Sequence, residues 1–338
     1  MTICNACRYC EGFCDVFPAM ERRLLFNEAD INYLANLCHN CAECYYACQY
    51  APPHEFAVNV PQVFAEIRAQ SYRKYAWPKY LRVSAWVAVA VGIFIALLLA
   101  GGRSAENANF YGVIPHEAMI VTFGVAGACV FLAQIMGFLA FLRESCESLP
   151  AFFRLSTLVP AARRVLSLKN LDSNGAAGCT YPDEHHSQAR RRFHHFMFYG
   201  FLLCFASTTV AAIYHFTGRI APHPYLSLPV VLGTLGGIGL LVGPAGLYWL
   251  KRRRDPAIVD AKQDGMDISL LALLFLTSLT GLLLLILRET PAMGILLRIH
   301  LGIVLGLFLT LPYGKFVHGI YRSAALMRSV LETGRGKD

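Results

Sequence analysis

Two cysteine runs of the same form occupy the start of the chain: Cys4, Cys7, Cys10 and Cys14, then Cys38, Cys41, Cys44 and Cys48, each displaced by 34 residues from its counterpart. Thiolates at this spacing suit cubane iron–sulfur clusters, because the compact triplet wraps one cluster while the fourth cysteine reaches its neighbour. The expected ligand sets are Cys4, Cys7, Cys10 and Cys48 for one [4Fe–4S] cluster, and Cys14, Cys38, Cys41 and Cys44 for the other. A disulfide framework belongs to small secreted domains, and zinc sites pair two C-x2-C knuckles rather than two triplets. The proline that commonly follows the fourth cysteine is replaced by Asp15 and Gln49. Cys129, Cys146, Cys179 and Cys204 share no such spacing and are expected to be small buried or interfacial residues.

Histidines within apolar segments form the second constellation, since such residues are costly in a membrane without a partner. His300 and His318 stand 18 residues apart, which on one helix places them on the same face and roughly 27 Å apart along the axis. His194 and His195 begin another apolar segment and His215 ends it. With those two segments antiparallel, His194 or His195 comes level with His318, and His215 with His300. Two levels of paired imidazoles predict two bis-histidine haem b groups, a ligation that favours electron transfer over oxygen chemistry. Helix-face arithmetic favours His194 over His195, with His195 kept as a near equal. His116 is a candidate substitute ligand or quinone contact, and His195 and Lys315 are further quinone candidates. His223, His185 and His186 read as loop residues, while His39 and His54 belong with the cysteines and are candidates to hydrogen-bond cluster sulfur. No C-x-x-C-H run for covalent haem attachment is present.

The elements that must carry these residues divide the 338-residue chain sharply. Residues 1–80 are mixed and cysteine-rich, and 81–320 hold six apolar runs near the roughly 20 residues needed to span a bilayer as a helix. The runs are 81–101, 118–142, 195–216, 226–250, 268–287 and 296–318; the fifth, ISLLALLFLTSLTGLLLLIL, has no charge. Lys and Arg concentrate in alternate connections: before the first run, across 143–193, at Lys251 to Arg254, and after the sixth. The other connections hold only Arg103, Arg219, Arg288 and Arg298. That bias predicts cytoplasmic termini, a long cytoplasmic connection over 143–193, and a cytoplasmic tail over 321–338. The formal net charge of +8 is then membrane topology and gives no argument for nucleic acid. The first apolar run lies too far from Met1 for a secretory signal. Helices are expected over 29–37 and 60–72, with an amphipathic one over 151–168 on the membrane face and irregular chain over 175–184. The glycines of 233–246 lie inside the fourth run, where small residues permit close helix contact. No dinucleotide fingerprint occurs in a strand–turn–helix context, so neither flavin nor nicotinamide is expected to bind here.

The stretches CNACRYCEGFC and LCHNCAECYYACQYAPPHEF, followed by six apolar runs with these histidines, resemble the tricarballylate utilisation protein B, or CitB, family over essentially the whole chain. The resemblance implies a bacterial inner-membrane subunit in the lipid bilayer. It also implies a cytoplasmic FAD-dependent dehydrogenase as partner, one that oxidises tricarballylate to cis-aconitate, and quinone as electron acceptor. It further implies an α-helical ferredoxin-like domain akin to the iron–sulfur domains of succinate dehydrogenases and heterodisulfide reductases. The histidine spacing is similar to that of cytochrome b subunits of respiratory nitrate reductases. The expected fold is mainly α, an N-terminal α-helical ferredoxin-like domain with two [4Fe–4S] clusters fused to a six-helix transmembrane cytochrome b-like bundle. Rival readings keep the relay but change the donor, to another flavin dehydrogenase or a heterodisulfide or thiol partner, or make the chain a membrane redox sensor.

Overall fold

The computed structural model describes residues 1–79, 84–100, 110–145, 149–172 and 177–335. Arg103, Cys146 and the positions 81, 101 and 175 that bound expected segments above lie outside the described residues. The helices are, in order, α1 (Thr2–Cys7), α2 (Val16–Glu21), α3 (Glu28–Leu37), α4 (Glu43–Tyr46), α5 (Val60–Tyr75), α6 (Ala85–Ala100), α7 (Phe110–Val113) and α8 (His116–Glu144). They continue with α9 (Leu149–Phe152), α10 (Leu155–Ser167), α11 (Ala189–Phe216), α12 (Leu228–Arg253), α13 (Asp264–Ile286), α14 (Met293–Thr310) and α15 (His318–Arg335). Among the described residues the only β pairing is an isolated bridge between Cys179 and Ser187.

The N-terminal helices start where side chains cap them. The Asn27 side chain accepts a hydrogen bond from Asp30 N at 2.8 Å, and that of Asn59 accepts one from Gln62 N at 3.2 Å, each satisfying an amide that the first turn leaves unpaired. The apolar faces of α3 and α5 then bury Tyr33, Leu34, Leu37, Phe64 and Tyr72. Their core is shared with Phe141 and Leu142 at the end of α8 and with Tyr321, Ala324, Ala325 and Leu326 of α15. Tyr72 stacks on Tyr321 with ring centroids 5.9 Å apart, and Tyr75 meets Phe141 edge-on at 5.7 Å. The segment expected as a tail over 321–338 is therefore a core helix as far as it is described. Its buried alanines allow α15 to lie close against the N-terminal helices, and charge secures the same contact. Arg23 pairs with Asp30 at 2.7 Å and with Glu332, while Arg328 reaches Glu332 at 3.0 Å and Asp30 at 3.3 Å. The connection over 143–193 likewise folds in, with α10 packed on α15.

Five helices, α8, α11, α12, α13 with the turn before it, and α14, are long and apolar enough to cross a membrane. The first expected run appears as the shorter apolar helix α6. Exposed Trp86, Phe94, Phe131 and Phe205 stud the outer faces of this bundle, a surface suited to lipid rather than water. Within it α11 packs on α12, α12 on α13, α13 on α14, and α14 on α6. The glycines expected to permit close contact do so: a Cβ at Gly239 would stand 2.8 Å from Phe196 O on α11. The sixth expected run, 296–318, is not one helix. Pro312 lacks the amide a continuing helix needs, Gly314 N turns back to Thr310 O at 2.8 Å, and a short 3-10 turn over Lys315–Val317 leads into α15. His300 and His318 consequently sit on different helices, and the same-face argument for them does not hold.

The contact between α14 and α6 can be tested at Gly306, where a Cβ would lie 2.8 Å from Val89 Cα. Gly306→Val should lower the thermal unfolding midpoint of the detergent-solubilised protein, an overpacking cost of about 1–3 kcal/mol. Gly124→Ala, with nothing within 4 Å of the added carbon, should leave the midpoint in place.

Candidate functional site

Left-handed backbone turns shape both cysteine runs. Arg8 follows α1 at φ 54°, and Asn40 and Ala42 flank Cys41 at φ 56° and 69°. Single residues can adopt this region where the chain must reverse sharply, and here the reversals turn successive cysteines toward common points. Cys14, Cys38, Cys41 and Cys44 line one cavity with Phe17 and His39. The space measures about 380 Å³, its open side included. Cys4, Cys7, Cys10 and Cys48 form the second gathering, near enough to act on one another's ionisation. Burial, then Cys48, Cys4 and Cys7, pushes the Cys10 thiol up to about 12. Burial, then Cys38, takes Cys41 to about 12 as well. Burial also raises Cys14 and Cys44. Thiols that oppose each other's ionisation in this way become thiolates only around a strongly cationic centre. Among the described residues no three His, Cys, Asp or Glu side chains converge closely enough to share one metal ion.

The structure brings together both expected sets of four. It also adds Cys179, which sequence spacing left unassigned: this buried thiol acts on Cys41, and its neighbour Thr180 donates to Cys41 O at 3.3 Å. His39 is buried with Nδ1 2.8 Å from Leu37 O, and burial followed by Arg322 holds its imidazole well below the usual range, hence neutral. The His54 Nδ1 accepts from Phe56 N at 3.1 Å. The described contacts of these two histidines are thus with backbone groups and neighbouring side chains.

The histidines of the bundle separate into two cases. His194 and His318 face each other with ring centroids 6.1 Å apart and planes at 74°. Two metal–imidazole bonds of about 2.0 Å, with the ring radii added, separate centroids by roughly 6 Å, so this pair stands at the distance one metal requires. His194 Nδ1 is buried without a hydrogen-bond partner. His195 points elsewhere, against Tyr199 and the Leu166 and Ser167 backbone, so of the two neighbours it is His194 that faces His318. At the other end the expected partners do not meet. His215 stacks on His116 at 3.5 Å, too close for a metal between the rings, while His300 bonds Thr280 Oγ1 at 3.0 Å. The cause is packing: α14 lies along α6 and α13, and His300 is turned onto Thr280 and Gly281 of α13.

A larger cavity of about 1020 Å³, its open mouth included, lies between the cysteine cavity and the bundle. His194, His318, Arg68, Arg190, Arg322 and Lys315 line it, and Asn40 contributes to the walls of both cavities. Lys315 and Lys251 both pair with Asp267, at 2.9 and 2.8 Å. Of the quinone candidates, Lys315 reaches this cavity; His195 is turned away from it, and His116 lies at the far end of the bundle. In the sequence these arginines count among the topology charges, yet the Arg190/His194 and His318/Arg322 spacings of four residues place each pair on one helix face.

Two sequence profiles match the chain: that of the citrate utilization protein B Fer4-like domain over residues 1–74, and that of citrate utilization protein B over residues 85–337. Citrate utilization protein B of Escherichia coli is 50% identical over 351 residues, covering 100% of this chain and 92% of that protein. No solved structure matches significantly.

If the four cysteines of the buried cavity hold one cluster, Cys44→Ser should lose about half of the protein's iron and acid-labile sulfide. The remaining half should fall on Cys10→Ser. Unchanged iron in either variant would remove that cysteine from its set.

Proposed function

The chain belongs to the citrate utilization protein B family, with a Fer4-like N-terminal domain and an iron–sulfur electron-transfer role, and from that premise we propose a complete relay within it. Electrons enter from a cytoplasmic flavoprotein dehydrogenase acting on a tricarboxylic acid, tricarballylate or citrate, and leave to membrane quinone. The acid class follows from the family resemblance and from the name of the Escherichia coli relative. Cys4, Cys7, Cys10 and Cys48 would hold one [4Fe–4S] cluster, and Cys14, Cys38, Cys41 and Cys44 the second. His194 and His318 would hold haem b at the inner end of the bundle. The second haem, expected on His215 and His300, would require His300 to leave Thr280, or His116 to serve with His215 after their rings part. When bound, these groups supply one-electron steps between a two-electron flavin and a two-electron quinone.

The observation that carries this reading is the adjacency of the four-cysteine cavity and the His194/His318 cavity across Asn40. The protein's own residues perform three tasks there. The left-handed turns aim the thiols, the aromatic core of α3, α5, α8 and α15 holds the N-terminal domain onto the bundle, and Asn40 forms part of the wall of both cavities. Lys315, held by Asp267, is a cation beside the larger cavity that can donate a hydrogen bond to a quinone carbonyl or to a carboxylate. The charge bias of the connections supports placing the N-terminal domain on the cytoplasmic side of the bacterial inner membrane.

The test is reoxidation by quinone. Full-length protein reduced anaerobically should lose its reduced iron–sulfur and haem absorbance when mixed with a short-chain ubiquinone, and His318→Ala should abolish the haem signal and slow cluster reoxidation. Clusters that stay reduced in the wild-type protein despite excess quinone would overturn quinone as the acceptor and leave the sensor reading in its place.

A further inference from the structure

Three arginines from three separate segments converge on the loop that carries the second cysteine run. Arg68 of α5 donates to Ala35 O at 2.9 Å, to Cys38 O at 3.2 Å and to Asn40 Oδ1 at 3.1 Å. Arg190 of α11 donates to Asn40 O at 2.6 Å and His39 O at 3.1 Å. Arg322 of α15 donates to Cys38 O at 3.0 Å. None of the three has a carboxylate partner among the described residues, in contrast to Lys251, Arg254 and Lys315 on the same cavity, which pair with Asp264 or Asp267. Nε of both Arg68 and Arg322 is buried without a hydrogen-bond partner. Buried cations without a carboxylate partner are costly, a cost that an anionic centre nearby would offset. Clusters held by four thiolates are anionic, and become more so on reduction.

The two cysteine sets differ in this respect. Around Cys14, Cys38, Cys41 and Cys44 the three arginines stand behind the loop; two carboxylates act on this set, Asp15 on Cys14, matched by Arg164 at 3.0 Å and Asn170 at 3.1 Å, and Glu43 on Cys41, which it shares with Cys10 of the first set. Around Cys4, Cys7, Cys10 and Cys48 the nearest ionic influences are the N-terminal amine on Cys4 and the Glu43 carboxylate on Cys10. Nearby positive charge favours the reduced form, and net charge and hydrogen bonding are the terms that set cluster potentials.

We infer that Arg68, Arg190 and Arg322 tune the second cysteine set to the higher reduction potential, making it the electron exit toward His194 and His318 and the first set the entry. This rests on the two-cluster reading above. The step it orders is a one-electron exchange in which the first centre is oxidised and the second reduced, with no bond or proton changing hands. The order agrees with placement, since Arg190 and Arg322 each lie one turn from the facing histidine on their own helix.

Potentiometric EPR titration of the full-length protein, purified anaerobically, tests this with Arg322→Gln, Arg190→Gln and the conservative Arg322→Lys. Cys10→Ser, which alters only the first set, assigns the signals. The higher-potential signal should belong to the second set. Either glutamine variant should lower it enough to shift the electron's distribution between the two centres about tenfold, which is 59 mV for one electron, while the other signal stays fixed. Arg322→Lys should recover much of the loss. Iron content, measured alongside, identifies any variant that fails to assemble. Two clusters whose potentials do not move, move together, or rank in the opposite order would overturn the inference. A wild-type protein with a single cluster would instead overturn the two-cluster reading beneath it.

Discussion

The backbone carbonyls of Cys38, His39 and Asn40 are the joint on which this structure turns. Arginines from α5, α11 and α15 donate to them, so one short loop is held simultaneously by the N-terminal domain, the apolar bundle and the C-terminal helix. Charge-assisted hydrogen bonds of this kind fix position more firmly than neutral ones. The loop's position in turn sets where Cys38 and Cys41 point and how thin the wall at Asn40 is. A linker between two freely moving domains would give neither, and electron transfer between buried centres depends on a fixed short separation.

The surrounding architecture reinforces that joint. An iron–sulfur domain of about eighty residues has a limited core of its own. Here its helices complete their core with Phe141 and Leu142 of α8 and with the alanine-rich face of α15. The Arg23, Asp30, Arg328 and Glu332 network then ties the start of α3 to α15. The C-terminal helix thus serves two ends at once: its first residue, His318, faces His194, and its later turns close the N-terminal core.

Much of this was legible in the chain because the signals were local. Fixed cysteine intervals, helical periodicity over 29–37 and 60–72, and long apolar runs each report on structure within one element. The structure gives α3, α5, α8, α12 and α13 close to those bounds, while the sixth run is divided between α14 and α15. What escaped depended on contacts between elements. The pairing of His300 with His215 assumed an unbroken helix through Pro312 and Gly314, and it assumed that α14 lies beside α11. Arg190 and Arg322 looked like topology charges because nothing in a single sequence shows that they point inward to a loop some 150 and 280 residues away. The segment after 320 read as a tail because its apolar face is short and interrupted by charges whose partners, Asp30 and Arg23, are distant in sequence.

The central claim is that His194 and His318 form a metal-binding pair beside the second cysteine set. Its most direct test is haem b per polypeptide, by pyridine haemochrome and the reduced-minus-oxidised spectrum, in wild type, His194→Ala and His195→Ala. A low-spin haem present in wild type, retained in His195→Ala and lost in His194→Ala is the expected result. A wild-type protein without haem, or equal loss in both variants, would contradict it and return these histidines to a structural role.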